Sequence, residues 1–483
     1  MIINIKDRIL KMSLPADCSI RQALQAIDKG ALGMALLVDP DSNIFQGLIT
    51  DGDIRRALIQ GFGLESHVKE ITRPIAKTAS EGMSFEQITT MFTDPVRVVP
   101  VLDKAGVVID LAIFDRRINL PVAEPCFNEN ELLYVSDCVI TGWVSSAGKY
   151  VTRFESMFAE YCSTKYAITT SNGTTALHLA LLALGIGPGD EVIVPSLTFI
   201  STANAVTYTG AKPIFVDSEE QSWTIDPTGI ESAITSKTRA IIPVHIYGHP
   251  ADMGKIMDIA HRKHLYVIED AAEAHGAYYH DQMVGGIGDI GIFSFYGNKI
   301  ITTGEGGMIT TNDPSIAEKV RILRDHGMTA ERRYWHPVLG YNYRLTNIQA
   351  ALGVAQMEKI ASILKNKKQI AKKYTEMLQE ISGLTIQNTA TWADPVYWLF
   401  SIQIDPTLFG YSRDELIQYL KEKGIETRPL FPPVHTQPIY NTGQHLTIAE
   451  KLSTQGLSLP SSPNLKEDDI IRITQEIRKL NKT

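Results

Sequence analysis

The chain has 483 residues, 44% of them hydrophobic and 21% charged, with a net charge of −8. That composition predicts a globular protein of two or three domains, and the acidic balance excludes nucleic acid as the main partner, since backbone binding needs a basic face. Four scattered cysteines without C-x-x-C spacing, an N-terminus lacking a cleavable apolar segment, and no apolar run of the roughly 18 residues a membrane helix needs predict a cytoplasmic chain with no membrane association and no metal site.

Residues 1–118 contain a weak internal repeat. SIRQALQAIDKGALGMALLVD (19–39) is an amphipathic helical pattern followed by a short apolar strand, and SFEQITTMFTDPVRVVPVLD (84–103) repeats that order. A second strand follows each copy, in FQGLITDGDIRRAL (45–58) and GVVIDLAIFDRR (106–117). This α+β doublet resembles a pair of CBS modules, which implies a regulatory or assembly unit. The resemblance also implies that Thr50 and Asp53, beside Gly47, hold the ribose of an adenine nucleotide. On the residues alone, Asp53 serves equally well as the N-cap of the helix after it. The second copy lacks the Gly and Thr, so one such site at most is complete.

NLPVAEP (119–125), with two prolines, breaks the pattern and is the expected linker. From 126 the chain alternates helical stretches with short apolar strands: EVIVPSL, KPIFVD, AIIPVHIYG, LYVIEDAAEA and IGIFSF. Such alternation predicts an α/β domain with a mainly parallel sheet covered by helices, here over 126–365. A long helical run to about 381 leads into a smaller α+β domain over 366–483, with a strand in VYWLFSIQID and a helix in SRDELIQYLKEKG.

Three segments carry chemistry. In FSFYGNKIITTGEGG (293–307), Lys299 sits between aromatic residues and glycines. A phosphate-loop lysine is excluded, because G-x-x-x-x-G-K-[ST] is absent and GEGG does not satisfy G-x-G-x-x-G, which leaves a surface lysine on a turn or an amine kept for covalent chemistry. In YVIEDAAEAHG (266–276), a buried strand ends in Glu269 and Asp270, at the edge where open α/β sheets bind ligands. A helix cap is the alternative reading. In TTSNGTTALHLALLALG (169–185), hydroxyls and amides open an apolar helix, which suits either a phosphate or simple capping.

Taken in order, a phosphate cradle, a strand-end aspartate and a lysine about thirty residues later resemble fold-type I pyridoxal-phosphate enzymes. SNGTTALHLALLALGIGPGDEVIVPSLTF, EDAAEAHG and FSFYGNKIITTGEGGMITTND are similar to the DegT/DnrJ/EryC1/StrS family of nucleotide-sugar aminotransferases, and GYNYRLTNIQAALG (340–353) and GIETRPLFPPVHTQPIY (424–440) extend the likeness. The resemblance implies a large domain with a mainly parallel seven-stranded sheet and a small C-terminal α+β domain. Pyridoxal 5′-phosphate would be the cofactor, with pyridoxamine 5′-phosphate as its amino-carrying form. Lys299 would bind the cofactor covalently, Asp270 would pair with its ring nitrogen, and Glu273 would sit near its ring hydroxyl. Phe199 would stack on the ring, while Ser294, Gly173, Thr174 and Thr175 would hold the phosphate. Asn342 would reach that phosphate from a neighbouring subunit, which implies a homodimer or larger homo-oligomer with shared sites. Trp143, His245 and His435 are candidates for the sugar-nucleotide side, each histidine with a structural role as the alternative. The implied reaction moves the amino group of L-glutamate to a 4-keto-6-deoxy sugar on GDP, with a UDP- or dTDP-linked sugar as the alternative acceptor.

Overall fold

The computed structural model describes residues 5–30, 32–71, 76–83, 87–88, 90–92, 98–113, 120–127, 129–329 and 331–481. The chain separates into two compact units, Met1–Ile118 and Asn119–Thr483.

In the first unit, β1 (Ser13–Pro15), β2 (Met34–Val38) and β3 (Phe45–Thr50) form one sheet, and β4 (Ala79–Ser80), β5 (Val98–Leu102) and β6 (Val108–Ile113) form another. Each has the same topology: the first strand runs parallel to the second, and the second antiparallel to the third. The sequence repeat is therefore a repeat of topology. Met34 and Leu36 of one sheet and Val108 and Leu111 of the other share a buried cluster. Much of the expected helical stretch of the second copy (84–86, 89 and 93–97), and residues 114–118 after its last strand, lie outside the described residues.

Thr50, rather than Asp53, is the N-cap of helix Asp51–Ile59. Its Oγ1 accepts the Asp53 amide at 3.1 Å, while Asp53 Oδ2 accepts the Thr50 amide and hydroxyl at 2.9 and 2.7 Å. Asp53 Oδ1 accepts from Arg56 at 2.6 Å. Each of the two residues thus answers the other in a capping box.

In the second unit the strands are β7 (Tyr166–Thr170), β8 (Glu191–Pro195), β9 (Lys212–Val216), β10 (Thr238–Ile241), β11 (Tyr266–Asp270), β12 (Tyr278–Tyr279), β13 (Gln282–Met283), β14 (Ile290–Ser294) and β15 (Gly307–Thr311). Seven of them form the main sheet, in the order β7-β15-β14-β11-β10-β8-β9. Only β15 runs antiparallel to its neighbours. All five strand segments read from the sequence are in this sheet. β7 was not among them, because its residues lead straight into the phosphate-type segment and carry no turn signal between. Helix Gly173–Ala183 covers one face with Ala176, Leu177 and Ala180, and Phe154 and Phe158 of helix Lys149–Tyr161 pack on the other against Phe293 and Phe295.

The long helical run is two helices, Asn347–Glu358 and Ile360–Leu378, parted at Lys359. The boundary read at 365/366 falls inside the second. Its start packs in the large core through Ile360 and Ile363, and the remainder in the small core through Ile370, Tyr374 and Leu378. The small lobe is a sheet of β16 (Leu384–Ile386), β18 (Phe400–Ile404), β20 (Gly456–Leu459) and β19 (Arg428–Pro429), while β17 (Ala393–Asp394) pairs with β12.

The expected linker is not free. Leu120 exchanges backbone hydrogen bonds with Gly424 and Glu426 at 2.8 and 2.9 Å, and Leu120 and Val122 are buried. Two apolar side chains in NLPVAEP find a core here, and that outweighs the two prolines as a guide to its structure.

Lys367 lies in the same seam. Its ammonium donates to the Ser461 carbonyl at 2.6 Å, and burial pushes it down to about 7 from an ordinary 10.5. The unfolded chain therefore binds the extra proton between pH 7 and 10.5, so this group makes stability rise with pH across that window, by about 1.4 kcal/mol per unit at most. Lys367→Met should be more stable than the wild type at pH 7, with the gap closing toward pH 10, as read from denaturant unfolding at each pH.

Candidate active site

Successive residues of a strand face opposite sides of the sheet, and at the end of β11 this separates two acids. Glu269 points into the protein: Oε1 accepts the amides of Ile287 and Gly288 at 2.7 Å each, and Oε2 accepts the Gly285 amide at 2.8 Å and contacts His245 Nε2 at 3.2 Å. It anchors the loop before β14. Asp270 faces a cavity of about 560 Å³. Its Oδ2 accepts from the Thr202 hydroxyl at 2.8 Å and Oδ1 from the Ala272 amide at 3.2 Å. Burial pushes the Asp270 carboxyl above its ordinary value, opposed by the Thr202 and Ala272 hydrogen bonds and by the charge of Lys299.

Glu273 lines the same cavity. Its Oε2 accepts the Tyr247 amide at 2.8 Å, and its Oε1 lies 3.3 Å from Lys299 Nζ. Burial raises this carboxyl too, with Lys299 as the main opposing influence. Lys299 comes from the turn after β14, and its side chain is only 11% exposed. Its Nζ sits 3.7 Å from the centre of the Trp398 ring, and the Trp398 Nε1–H donates to the Asn298 carbonyl at 2.7 Å.

Across the cavity lies the start of helix Gly173–Ala183. Asn172 is its N-cap, with Oδ1 accepting the Thr175 amide at 2.9 Å. Thr175 Oγ1 in turn accepts the Asn172 amide and donates to the Asn172 carbonyl. The Thr175 amide and hydroxyl are therefore both engaged in the cap, which removes Thr175 from the phosphate set. Gly173 and Thr174 do line the cavity, together with Ser294 and Phe199. A Cβ on Gly173 would lie 2.9 Å from that of Ser294, so glycine is what lets the helix start approach the end of β14. First-turn amides have no intrahelical partners and carry the positive end of the helix dipole, which suits an anionic group. Phe199 is 54% exposed, its ring 5.8 Å from that of Phe431.

Four other candidates are placed elsewhere. His245 is fully buried: Nδ1 accepts the Ala251 amide at 3.0 Å, so Nε2 carries the proton directed at Glu269. His435 is also buried, with Nδ1 2.6 Å from Ser196 Oγ and Nε2 3.1 Å from Glu450, and it pins the Val434–Thr436 turn to the residue after β8. Both histidines are structural here. Trp143 lies on a separate cavity of about 390 Å³ beside Asp137, Lys149 and Asn347. Asn342 is exposed, takes a hydrogen bond from Arg344 at 3.1 Å, and does not line this chain's cavity.

Thr202, Tyr247 and Trp398 are not among the residues that sequence motifs single out. Thr202 had a signal, since it follows Phe199 by three residues at the start of a helix. Trp398 and Tyr247 carry none, because Trp398 meets Asn298 a hundred residues away and Tyr247 meets Glu273 across 26 residues that no local pattern links. Among the described residues no helix is long and apolar enough to cross a membrane, and no His/Cys/Asp/Glu group could hold a metal ion.

The model of the DegT/DnrJ/EryC1/StrS aminotransferase family matches residues 125–478. The chain belongs to that family. This aminotransferase is 48% identical to the GDP-perosamine synthase of Caulobacter vibrioides, over 73% of this chain and 96% of that protein. It is 47% identical to the GDP-perosamine synthase of Escherichia coli O157:H7, over 74% of this chain and 97% of that one. Among solved structures it is similar to the putative sugar aminotransferase Spr1654 from Streptococcus pneumoniae in its PLP form, with 27% identity, a TM-score of 0.71, and coverage of 75% of this chain and 98% of that one. The family match begins at residue 125 and leaves the first unit outside it.

The cavity of this aminotransferase fits pyridoxal phosphate on its own chemistry. It brings together a lysine amine, a strand-end carboxylate, a helix N-terminus closed to any Cβ, and Asn298, whose Oδ1 is buried without a partner among the described residues. A carboxyl raised by burial favours folding most when it is protonated, and that advantage is lost as pH rises through its folded-state value. Asp270→Asn apoprotein should therefore melt higher than wild-type apoprotein at pH 8, with the difference shrinking as pH falls into the carboxylate range; thermal melts at a series of pH values check this.

Proposed function

We propose that this chain transfers the amino group of L-glutamate to C4 of GDP-4-keto-6-deoxy-D-mannose, forming GDP-perosamine and 2-oxoglutarate, with pyridoxal 5′-phosphate as cofactor. The observation that carries this reading is the Lys299 amine held 3.3 Å from Glu273 on the same cavity as Asp270 and the Gly173 helix start. The two GDP-perosamine synthases similar to this chain, each covered over nearly its whole length, support the choice of sugar.

The bound cofactor supplies an electron sink for the bond broken beside the transferred nitrogen. This chain's residues do the rest. Gly173 and Thr174, with Ser294, would hold the phosphate, and Phe199 would cover the ring. Asp270 would keep the proton on the ring nitrogen, and Thr202 fixes that carboxylate. Lys299 would carry the proton to and from the substrate carbon, and Glu273, 3.3 Å away, would hold its ammonium between transfers. Trp398 and Tyr247, both buried, keep water from this side of the cavity.

From the family resemblance we also propose a homodimer with shared sites, in which Asn342, exposed and outside this chain's own cavity, would reach the partner's phosphate. For the first unit we propose a CBS pair serving assembly or regulation, on the strength of its two sheets of equal topology. An adenine nucleotide at Thr50 and Asp53 would have to take over the capping bonds those residues make with each other.

Incubation with L-glutamate and GDP-, UDP- and dTDP-linked 4-keto-6-deoxy sugars, read by product mass, tests the reaction. The GDP sugar should be aminated fastest, and Lys299→Ala should give no product. Amination confined to a UDP or dTDP sugar would overturn the nucleotide assignment, and an active Lys299→Ala variant would overturn the site.

A further inference from the structure

In the proposed reaction the Lys299 nitrogen would have to serve both as the cofactor's anchor and as a free proton carrier. A lysine on four rotatable bonds does not return to one place unless something holds it. Glu273 supplies one contact, at 3.3 Å. The other contact comes from the small lobe, where Trp398 precedes β18 with its ring centre 3.7 Å from the lysine nitrogen. A cation over an indole face is attracted by the ring's quadrupole, and more so when both are dehydrated, as these are.

The indole is itself held in place. Its N–H donates to the carbonyl of Asn298, the residue before Lys299, at 2.7 Å. Its ring lies nearly parallel to that of Tyr247, at 8° and 6.3 Å, and Tyr247 lies in turn on Phe431 at 15° and 5.6 Å. Tyr247 has φ of 55°, in the left-handed region that a bulky side chain rarely adopts. Its amide is the donor to Glu273. The indole therefore cannot turn away without unstacking the residue that fixes the lysine's other partner. Strain of this kind is kept where the surroundings over-determine it.

We propose that Trp398 is a positioning residue for Lys299: its ring face is the platform on which the lysine nitrogen rests. This rests on the aminotransferase reading and not on which sugar is accepted.

The test uses the full chain with Trp398→Leu and Trp398→Phe. Leucine removes the ring; phenylalanine keeps a ring face but not the N–H. Three quantities are measured: the rate at which apoprotein captures pyridoxal phosphate, followed by absorbance near the visible edge; the single-turnover rate with glutamate alone; and the KM for glutamate. Trp398→Leu should slow capture and single turnover by about tenfold or more, with KM within about twofold of wild type, and Trp398→Phe should recover most of the loss. Equal rates for the Leu and Phe variants, or a loss carried by KM, would reduce Trp398 to packing and overturn the proposal. If Trp398→Leu does not fold, Trp398→Met takes its place under the same criteria. Wild-type apoprotein that captures no pyridoxal phosphate would overturn both this proposal and the functional reading. Wild type that completes the glutamate step but accepts no sugar fails only the substrate assignment, and the Leu-against-Phe comparison still decides the role of Trp398.

Discussion

One buried amine sets the terms for the second unit. An ammonium withdrawn from water is costly unless it is paired and its partners are themselves satisfied. Lys299 meets this with a carboxylate at 3.3 Å and an indole face at 3.7 Å. Glu273 in turn needs the Tyr247 amide, and Trp398 needs the Asn298 carbonyl. Each of these requirements draws in another element, until both lobes are committed to one side chain. The second carboxylate, Asp270, is held by Thr202 and the Ala272 amide, and its own charge remains available to a cationic ring.

The parity of a β-strand does much of the sorting. Glu269 and Asp270 are adjacent in sequence and of the same chemical type, yet one residue's difference sends them to opposite sides of β11. Glu269 takes three backbone amides and a histidine and holds a loop together. Asp270 meets a cavity. A carboxylate with every lone pair engaged has no chemistry left to offer, and one with only two partners does. The same distinction separates Thr174 from Thr175: the second is spent on the helix cap, and the first still lines the cavity.

Local patterns in the sequence were a good guide wherever local physics decides the outcome. Apolar runs bounded by turn residues mark five of the seven main strands. A strand-end acid, a glycine facing Ser294 and a lysine in a glycine-rich turn lie around one cavity because each depends on its immediate neighbours. What failed to show was set at long range. His245 and His435 look reactive as isolated letters, but each has both ring nitrogens engaged by partners that the fold brings in, Ala251 and Glu269 for one and Ser196 and Glu450 for the other. The prolines of NLPVAEP mark the boundary between the two units, yet Leu120 and Val122 have a core to enter, which no reading of the segment by itself reveals.

Helix Ile360–Leu378 shows why the lobes work as one. Its first residues belong to the large core and its later ones to the small core, so it crosses the boundary without a break. A reactive lysine from one lobe can rely on an indole from the other only if the two keep a fixed distance. The lysine nitrogen is within reach of the ring face only out to about 6 Å. The continuous helix, the Lys367 bond to Ser461 and the packed segment beginning at Leu120 all hold that distance. The small lobe therefore does more than close the cavity: it supplies one of the two surfaces that define where the reactive nitrogen sits.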